Sequence, residues 1–420
     1  MAAKNSAWIS IFAAGVVLAG PAFGQTQPVA DPTKTANQPA GPPQDKPPAP
    51  APSPYTVTVN YDLDLLDNLS GGRSRGFGHA DLLKASLGYD GNLQGREGLS
   101  ALVSLEHSFG SDFTQRRVGG FQAITSIEAH PAATRLYEAW VQQDILDGRA
   151  GFKIGLIDLN TIFDVQETAA LFLNAADGTG TDLADTGVNG PSIYPTTAAA
   201  VSGFWRPNND WTLQLGVFDA TAGDPRHRSD FLAIKLRGAL IIAQAERRFG
   251  DTARVEVGAW DYTNSFPALD RFGPGGVSRR VHGNVGIYGL IEGRLLKQGE
   301  EGKGLSGWVR IGLANGDINP ARRYLGAGLV YTGPIHGRDK DEAGVAMADV
   351  GFDEGARIAA LQEGRQVIEH ETVVEATYRY ACKDWLAVQP DVQYVIHPHG
   401  DPHIANALAV GVRLAFTWSK

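Results

Sequence analysis

The stretch NALAVGVRLAFTW near the C-terminal end alternates at every step between large apolar residues and small or polar residues. Leu408, Val412 and Phe416 share one phase, and Gly411 and Arg413 share the other. A period of two is typical of a β-strand, because successive side chains of a pleated backbone point to opposite faces. The stretch is therefore predicted to be a strand whose apolar face meets either a protein core or hydrocarbon.

Alternating segments of this kind recur from Tyr55 onward. Clear examples are TVTVNYDLDL, DLLKASLGYD, LSALVSLEHSF, GFKIGLID, WTLQLGVFD, ARVEVGAWDY, SGWVRIGLANG and WLAVQPDVQYVIHP. With weaker candidates they number about sixteen, each about ten residues long, which suits a tilted strand that crosses a bilayer. A soluble sandwich or solenoid shares the alternation, but its strands are usually only about five or six residues long.

The connections between these segments alternate in length. RPNND, GD and CKD are short, whereas the stretches that begin DLNTIFDVQ and TNSFPALDR are long. The pattern predicts an all-β fold, a closed antiparallel transmembrane β-barrel of about sixteen strands with short periplasmic turns and long extracellular loops. Aromatic residues near the strand ends suit the interfacial girdles of such a barrel; they are Tyr89, Trp205, Trp211, Phe249, Tyr378, Tyr380, Trp385, Tyr394 and Trp418.

The N-terminal region has the features of a targeting signal and a linker. Lys4 precedes an apolar run, and Ala22-Phe23-Gly24 is a small-x-small cleavage site, so residues 1–24 are predicted to be a secretory signal peptide. Residues 25–54 are rich in Pro and Ala and are predicted to be a disordered linker. A Pro-rich ligand for peptidoglycan or another envelope component is the alternative. Residues 55–420 remain for the barrel, which places the protein in the bacterial outer membrane.

Composition excludes several other classes. A formal net charge of -9 argues against nucleic acid, which requires a basic face. The sequence contains no run of about eighteen apolar residues, so no helical membrane span is expected. Cys382 is the only cysteine, which leaves no intramolecular disulfide and no cysteine-based metal site.

If the apolar phase faces lipid, the opposite phase faces a lumen. In TRLYEAWVQQ, an outward phase of Tyr137, Ala139 and Val141 leaves Glu138, Trp140 and Gln142 inside. The same rule predicts the further pore-lining residues Lys84, Lys153, Tyr288, Trp308, Arg310, Glu375, Arg379, Gln389, Asp391, Gln393 and Arg413. An ion-selective channel would show a ring of one charge sign. Mixed charges, amides and aromatic rings are better suited to neutral polyhydroxylated solutes. For each charge taken singly, the alternative is a pair across adjacent strands that stiffens the wall.

Three regions together resemble the carbohydrate-selective porin (OprB) family of Gram-negative outer membranes. They are LSGGRSRG, the stretch LYEAWVQQDILDGRAGFKIGLIDLNTIFDVQETAALFLN, and the C-terminal stretch from VVEATYRYACKDW to ANALAVGVRLAFTW. The resemblance implies a sixteen-stranded barrel that passes glucose and other small sugars into the periplasm by facilitated diffusion, through a constriction lined by inward-folding loops. Carried onto this chain, it implies the constriction residues Arg73, Arg75, Glu138, Trp140, Asp158, Asn160, Asp164 and Asn174. Ser419 and Lys420 follow the last aromatic residue, Trp418, whereas the family commonly ends on an aromatic.

Other functions remain as alternatives. A general or anion-selective diffusion porin, or a structural or adhesion barrel of the envelope, would share the fold. An enzyme is the third alternative, since His397, His399 and His403 lie close together. These histidines lie in a predicted loop without an acidic ligand set, and no G-x-S-x-G motif is present, so neither catalysis, a metal site nor a cofactor is expected. The expected partners are small sugars and outer-membrane lipid, and the expected assembly is a monomer or a homotrimer.

Overall fold

A computed structural model of the chain describes residues 52–224, 234–273, 276–299 and 302–420. The predicted signal peptide and the predicted linker up to residue 51 lie outside the described residues. Pro54–Lys420 forms one compact unit. Among the helices in the described ranges, none combines the length and the apolar character needed to cross a membrane.

The described residues form a closed barrel in which sixteen antiparallel strands each pair with the next along the chain, and the last pairs with the first. The strands are β1 (Tyr55–Gly72), β2 (Gly76–Asp90), β3 (Leu99–Gly110), β4 (Ala133–Ile145), β5 (Ala150–Ile157), β6 (Ala198–Trp205), β7 (Trp211–Asp219), β8 (Ala239–Phe249), β9 (Ala253–Phe272), β10 (Ser278–Lys297), β11 (Gly304–Ala314), β12 (Ala321–Thr332), β13 (Glu342–Phe352), β14 (His370–Lys383), β15 (Leu386–Ile396) and β16 (Ala405–Ser419). Two α-helices of the described residues, α1 (Thr181–Ala184) and α2 (Glu354–Gln362), lie in connections. The predicted closed antiparallel β-barrel is confirmed.

The barrel closes between its first and last strands. Trp418 lies opposite Val59, and Arg413 lies opposite Asp64. The backbones of Val57 and Lys420 exchange two hydrogen bonds, of 2.9 and 3.0 Å. Ser419, which lies opposite Thr58, and Lys420 therefore continue the β1–β16 pairing beyond the last aromatic residue.

The connections differ between the two ends of the barrel. The end that holds both barrel termini, here called the short-turn end, carries the connections 91–98, 146–149, 206–210, 250–252, 298–303, 333–341 and 384–385. The opposite, long-loop end carries 73–75, 111–132, 158–197, 220–238, 273–277, 315–320, 353–369 and 397–404. In outer-membrane barrels the short turns are periplasmic and the long loops extracellular.

The outer face of the wall carries exposed apolar side chains. Side chains that point outward include Val103, Phe152, Ile154, Val201, Leu215, Val257, Ile287, Ile311 and Val345, all exposed on the isolated chain. Trp205, Phe249, Trp385 and Trp418 are exposed at or beside the short-turn end. This arrangement matches a lipid-facing band bordered by an aromatic girdle.

The connection 158–197, here called the inner loop, folds back against the inside of the wall. Its residues Leu159, Phe163 and Leu183 are fully buried in one hydrophobic cluster with side chains from the wall. The wall members include Phe218, Leu240, Ile242, Trp260 and Tyr262. Full burial of each such side chain contributes about 1.5–3 kcal/mol, so the loop is held as part of the folded core and fills one side of the lumen.

One strand departs from strict alternation. Ser104 lies opposite Glu138, but the next residue, Leu105, lies opposite Leu136, so Tyr137 is an extra residue in β4. Such a β-bulge turns two successive side chains to the same face. Tyr137 is only 3 % exposed and its hydroxyl donates to Asp158 inside the barrel. The prediction that Tyr137 faces outward is wrong, because the bulge shifts the alternation by one residue.

Candidate functional site in the barrel lumen

The inner wall of β2–β5 carries a cluster of charged and aromatic side chains. Lys84 lies opposite Glu106 in the β2–β3 ladder, and its Nζ is 3.3 Å from Glu106 Oε1 and 3.8 Å from Glu138 Oε2. Adjacent antiparallel strands bring such cross-strand partners together. The central cluster, as it is called below, consists of Lys84, Glu106, Tyr137, Glu138, Trp140, Lys153 and Asp158.

Two aromatic rings are held within this cluster by charged groups. The indole Nε1 of Trp140 donates to Glu138 Oε1 at 3.1 Å, and Lys153 Nζ lies 4.0 Å from the centroid of the Trp140 ring. Lys84 Nζ lies 4.6 Å from the centroid of the Tyr137 ring. A cation over an aromatic face is attracted by the ring quadrupole, so the ammonium groups and rings fix one another in place.

The inner loop completes the cluster at its first residue. Asp158 follows β5 directly; its Oδ1 accepts the backbone N–H of Asn160 at 2.9 Å, and its Oδ2 accepts the hydroxyl of Tyr137 at 2.5 Å. Burial, and next the nearby Glu138 carboxylate, raise the pKa of Asp158 to about 6. The cluster thus combines three acidic side chains, Glu106, Glu138 and Asp158, with two lysines.

The other constriction residues implied by the resemblance lie elsewhere. Asn160 Nδ2 donates to the carbonyl oxygen of Asp164 at 2.9 Å, so it holds the turn that follows Asp158. Asp164 and Asn174 are buried between the inner loop and the wall. Arg73 Nη1 donates to the carbonyl oxygen of Gln115 at 2.9 Å in the connection 111–132.

Arg75 belongs to the same rim as Arg73. Its carbonyl oxygen accepts a hydrogen bond from Arg117 Nη1 at 3.0 Å, which ties the connection 73–75 to the connection 111–132. The structure therefore places both arginines at the long-loop end, and it brings Glu138, Trp140 and Asp158 together further inside.

Several predicted pore-lining residues face inward but are covered by loops. Arg310 is 0 % exposed and contacts the carboxylates of Asp164 and Asp182 in the inner loop. Glu375 accepts the backbone N–H groups of Leu173 and Asn174 at 2.7 and 3.0 Å. These two side chains anchor the inner loop and do not line an open channel.

Further predicted pore-lining residues also face inward and are buried. Trp308 is buried in a cluster with Leu171 and Phe172 of the inner loop. Gln393 Nε2 donates to Asp391 Oδ1 at 3.0 Å, and both side chains are buried. The remaining covered residues are Arg413, which binds Asp64 and Thr125, Gln389, which donates to the carbonyl oxygen of Leu171, and Tyr288, which donates to Gln244.

Arg379 keeps partial access to solvent. Its Nη1 is 3.8 Å from Glu342 Oε2, and both side chains are a little more than a quarter exposed. The histidine-rich stretch contributes a backbone group, since the N–H of His399 donates to Glu371. Among the described residues, no group of three or more His, Cys, Asp or Glu side chains is arranged to hold a metal ion.

Some lumenal residues were missed by the sequence analysis. Glu106 has the same phase as Ser104 and Ser108 in LSALVSLEHSF, so strict alternation could have found it. Alternation also identifies a second group in GALIIAQAERRFGDTARVEV, in which Arg254 contacts Glu246 at 2.7 Å. Tyr137 left no comparable signal, because a bulge is set by pairing with the neighbouring strand.

Comparisons with known proteins agree with this geometry. Residues 84–418 match the family described as carbohydrate-selective porin, OprB family. Porin B of Pseudomonas aeruginosa is 21% identical over 336 residues, which are 71% of each chain, and the putative porin QuiX of Acinetobacter baylyi is 22% identical over 393 residues, 83% of this chain and 85% of the relative.

Among solved structures, the high-pH structure of Pseudomonas putida OprB has a TM-score of 0.79 at 18% sequence identity, and the match covers 87% of this chain and 94% of that chain. At this identity the likeness concerns the fold, a barrel of the same architecture. The family match extends over most of the chain and confirms the resemblance seen in the sequence. The chain therefore belongs to the carbohydrate-selective porin (OprB) family, as an outer-membrane barrel through which sugars diffuse.

Proposed function

We propose that the central cluster is the constriction at which glucose and other small neutral sugars bind weakly on their way to the periplasm. The observation that carries the proposal is the mixture of donors, acceptors and rings on the inner face of β2–β5, where the Lys84 side chain keeps 15% exposure. Lys84 and Lys153 donate to hydroxyl oxygens, and Glu106, Glu138 and Asp158 accept from hydroxyl groups. A flat aromatic ring beside them provides an apolar surface for the C–H face of a sugar.

The charge balance of the cluster supports a neutral solute over an anion. Each ammonium group lies near a carboxylate or an aromatic face, as with Lys84 and Glu106 at 3.3 Å or Lys153 and Trp140 at 4.0 Å. An anion-selective pore needs a ring or ladder of positive charge, and this stretch of wall carries one more acidic than basic group. Weak binding suits a channel, since a solute that is held tightly leaves slowly.

The cluster residues have distinct roles in this proposal. Glu138 contacts the sugar and is oriented by Lys84 and Trp140, and Asp158 contributes the opposite edge from the inner loop. Asn160, Asp164 and Asn174 act as positioning residues that shape the inner loop. Arg73 and Arg75 act at the extracellular rim, where solutes enter.

The test is glucose block of single channels in planar lipid bilayers. Glu138→Gln keeps the size of the side chain but removes its charge, so we expect glucose affinity to fall about tenfold, as for one lost charge-assisted hydrogen bond, with conductance retained. Glu342→Gln is the matched control, because Glu342 is an inward carboxylate paired with Arg379 outside the cluster. Glucose block that is the same in Glu138→Gln and in the wild type would refute the assignment.

We further propose that residues 1–24 are removed on export and that residues 25–54 act as a spacer before the barrel. N-terminal sequencing of the protein recovered from outer membranes should begin at Gln25. Deletion of residues 26–54 should leave glucose block unchanged, because β1 begins at Tyr55. A changed block would assign the arm a part in transport.

A further inference from the structure

A line of polar side chains leads from the central cluster to the short-turn end. Glu138, Trp140, Gln142 and Asp144 occupy alternate positions of β4, and alternate residues of a strand are about 7 Å apart on one face. Gln142 Nε2 donates to Asp144 Oδ1 at 2.8 Å. A solute that leaves the constriction along this strand therefore meets an amide and then a carboxylate.

Asp144 meets an aromatic side chain where β4, β5 and β6 run side by side. Gly151 lies opposite Asp144 in β4 and opposite Phe204 in β6. A Cβ on Gly151 would lie 2.6 Å from the Phe204 ring and 2.7 Å from Asp144 Oδ1. Glycine at this position is what allows the ring and the carboxylate to approach the same point of the wall.

An arginine is fixed over the same ring. The guanidinium carbon of Arg206 lies 4.3 Å from the centroid of the Phe204 ring. Its Nη1 donates to the carbonyl oxygen of Gly148 at 2.8 Å, so the neighbouring turn holds the guanidinium in place. Arg206 also interacts electrostatically with Asp144 and Glu246, which places it at the meeting point of the β4 line and the β8 wall.

A second arginine continues this surface on the β8 side. Arg248 Nε donates to Glu246 at 2.8 Å, and Arg248 Nη2 donates to Glu167 of the inner loop at 2.8 Å. The side chains of Arg248 and Glu167 are 34% and 40% exposed, so both reach the surface of the inner wall. Donors and acceptors again alternate beside an aromatic ring, as in the central cluster.

We propose that Gln142, Asp144, Phe204, Arg206, Arg248 and Glu167 form a second sugar-binding station, here called the exit subsite, between the constriction and the periplasm. The ligand is a neutral monosaccharide, whose hydroxyl groups pair with amide, carboxylate and guanidinium groups. The exit subsite rests on the proposed function for the nature of the solute, but its residues are separate from those of the central cluster. With two weak binding sites in series, the hydroxyl groups of a sugar that leaves the first site can form hydrogen bonds at the second.

The experiment measures glucose block from each side of a planar bilayer, with full-length protein inserted from one chamber so that the channels share one orientation. In the double variant Asp144→Asn with Arg206→Gln, we expect glucose added at the short-turn side to bind about tenfold more weakly, since two hydrogen-bonding partners change. Glucose added at the long-loop side should keep nearly its wild-type affinity, because it first meets the central cluster.

Arg247→Gln is the matched control. Arg247 lies beside Arg248 in the chain, but its guanidinium covers the rings of Trp211 and Phe249 at 5.5 and 4.8 Å, in the outward phase of β8. This variant should leave block from both sides unchanged. Gly151→Ala is a second test, because its methyl group would displace Phe204 or Asp144, and it should weaken block from the short-turn side in the same direction.

The outcomes separate this inference from the proposed function. A double variant that is blocked from the short-turn side as strongly as the wild type would overturn the exit subsite and leave the constriction standing. A loss of affinity from both sides equal to that of Glu138→Gln would also overturn it, since a single site would then explain the block. Wild-type channels that glucose does not block from either side would refute both proposals.

Discussion

Two parts of the inner wall carry similar residues and use them differently. On the wall of β2–β5, Lys84 contacts Glu106 and Glu138, and its side chain remains 15% exposed to the lumen. On the wall of β9–β15, Arg310 contacts Asp164 and Asp182 at 0% exposure. A charge that faces inward can therefore contact a solute only where it keeps access to solvent.

On the covered wall, several carboxylates accept hydrogen bonds from consecutive backbone N–H groups of the loops. Glu375 accepts two consecutive backbone N–H groups of the inner loop, and Glu292 accepts those of Glu167 and Thr168 at 3.0 and 2.6 Å. Glu371 does the same for Phe121 and Gln122 in the connection 111–132, at 2.6 and 2.7 Å. Charge-assisted hydrogen bonds to backbone groups are stronger than neutral ones, and they hold the loops whatever side chains the loops carry.

The strongest test of this difference is Arg310→Met. The substitution leaves Asp164 and Asp182 buried without their cation, and breaking one side of a buried ion pair costs about 3–5 kcal/mol. We expect the inner loop to leave the wall, the single-channel conductance to rise and the unfolding temperature in detergent to fall. Electrophoretic mobility after stepwise heating measures the last effect.

The control for Arg310→Met removes all three charges together. Arg310→Met combined with Asp164→Asn and Asp182→Asn leaves no uncompensated charge, so much of the lost stability should return. If Arg310→Met alone keeps both the wild-type conductance and the wild-type unfolding temperature, the ion pairs of Arg310 with Asp164 and Asp182 do not hold the inner loop.

Glu371→Gln should have a smaller effect on the second covered loop. A neutral amide is a weaker acceptor and has a single acceptor oxygen, so its NH₂ group would face one of the two N–H donors of Phe121 and Gln122. The connection 111–132 should therefore lose about 1–3 kcal/mol of anchoring. Limited proteolysis of the folded barrel should then cut this connection faster. Glu369→Gln is the control, since the Glu369 side chain is 64% exposed, and equal cleavage in the two variants would contradict the anchoring role.

Much of the fold follows from local patterns in the sequence. A period of two fixes which side chains share a face, and this placed Lys84, Glu138, Trp140 and Lys153 inside the barrel. Strand lengths were less well predicted, since β9 and β10 each span twenty residues and extend beyond β8 and β11 at the long-loop end.

Which inward-facing side chains lie under a loop could not be predicted from the same patterns. Arg310 and Asp164 are 146 residues apart in the chain, and alternation in β11 has the same form whether a loop or water lies over Arg310. The bulge at Tyr137 depends in the same way on pairing with β3. Local periodicity thus predicts the face of a residue, and tertiary contacts decide whether that face is open.

The smallest expected effect is that of Asp158→Asn, which tests whether the charge of this carboxylate contributes to the ion selectivity of the channel. Because the pKa of Asp158 is raised to about 6, the carboxylate is charged at neutral pH and becomes protonated as the pH falls through that value. Lowering the pH from about 7.5 to about 5 should then reduce the preference of the wild-type channel for K⁺ over Cl⁻ about twofold. In Asp158→Asn the preference for K⁺ over Cl⁻ should already be lower at the higher pH, and it should change less as the pH falls. Asp251→Asn, in the exposed turn 250–252, should keep the full change, whereas an undiminished change in Asp158→Asn would show that the loop carboxylate lies outside the conducting path.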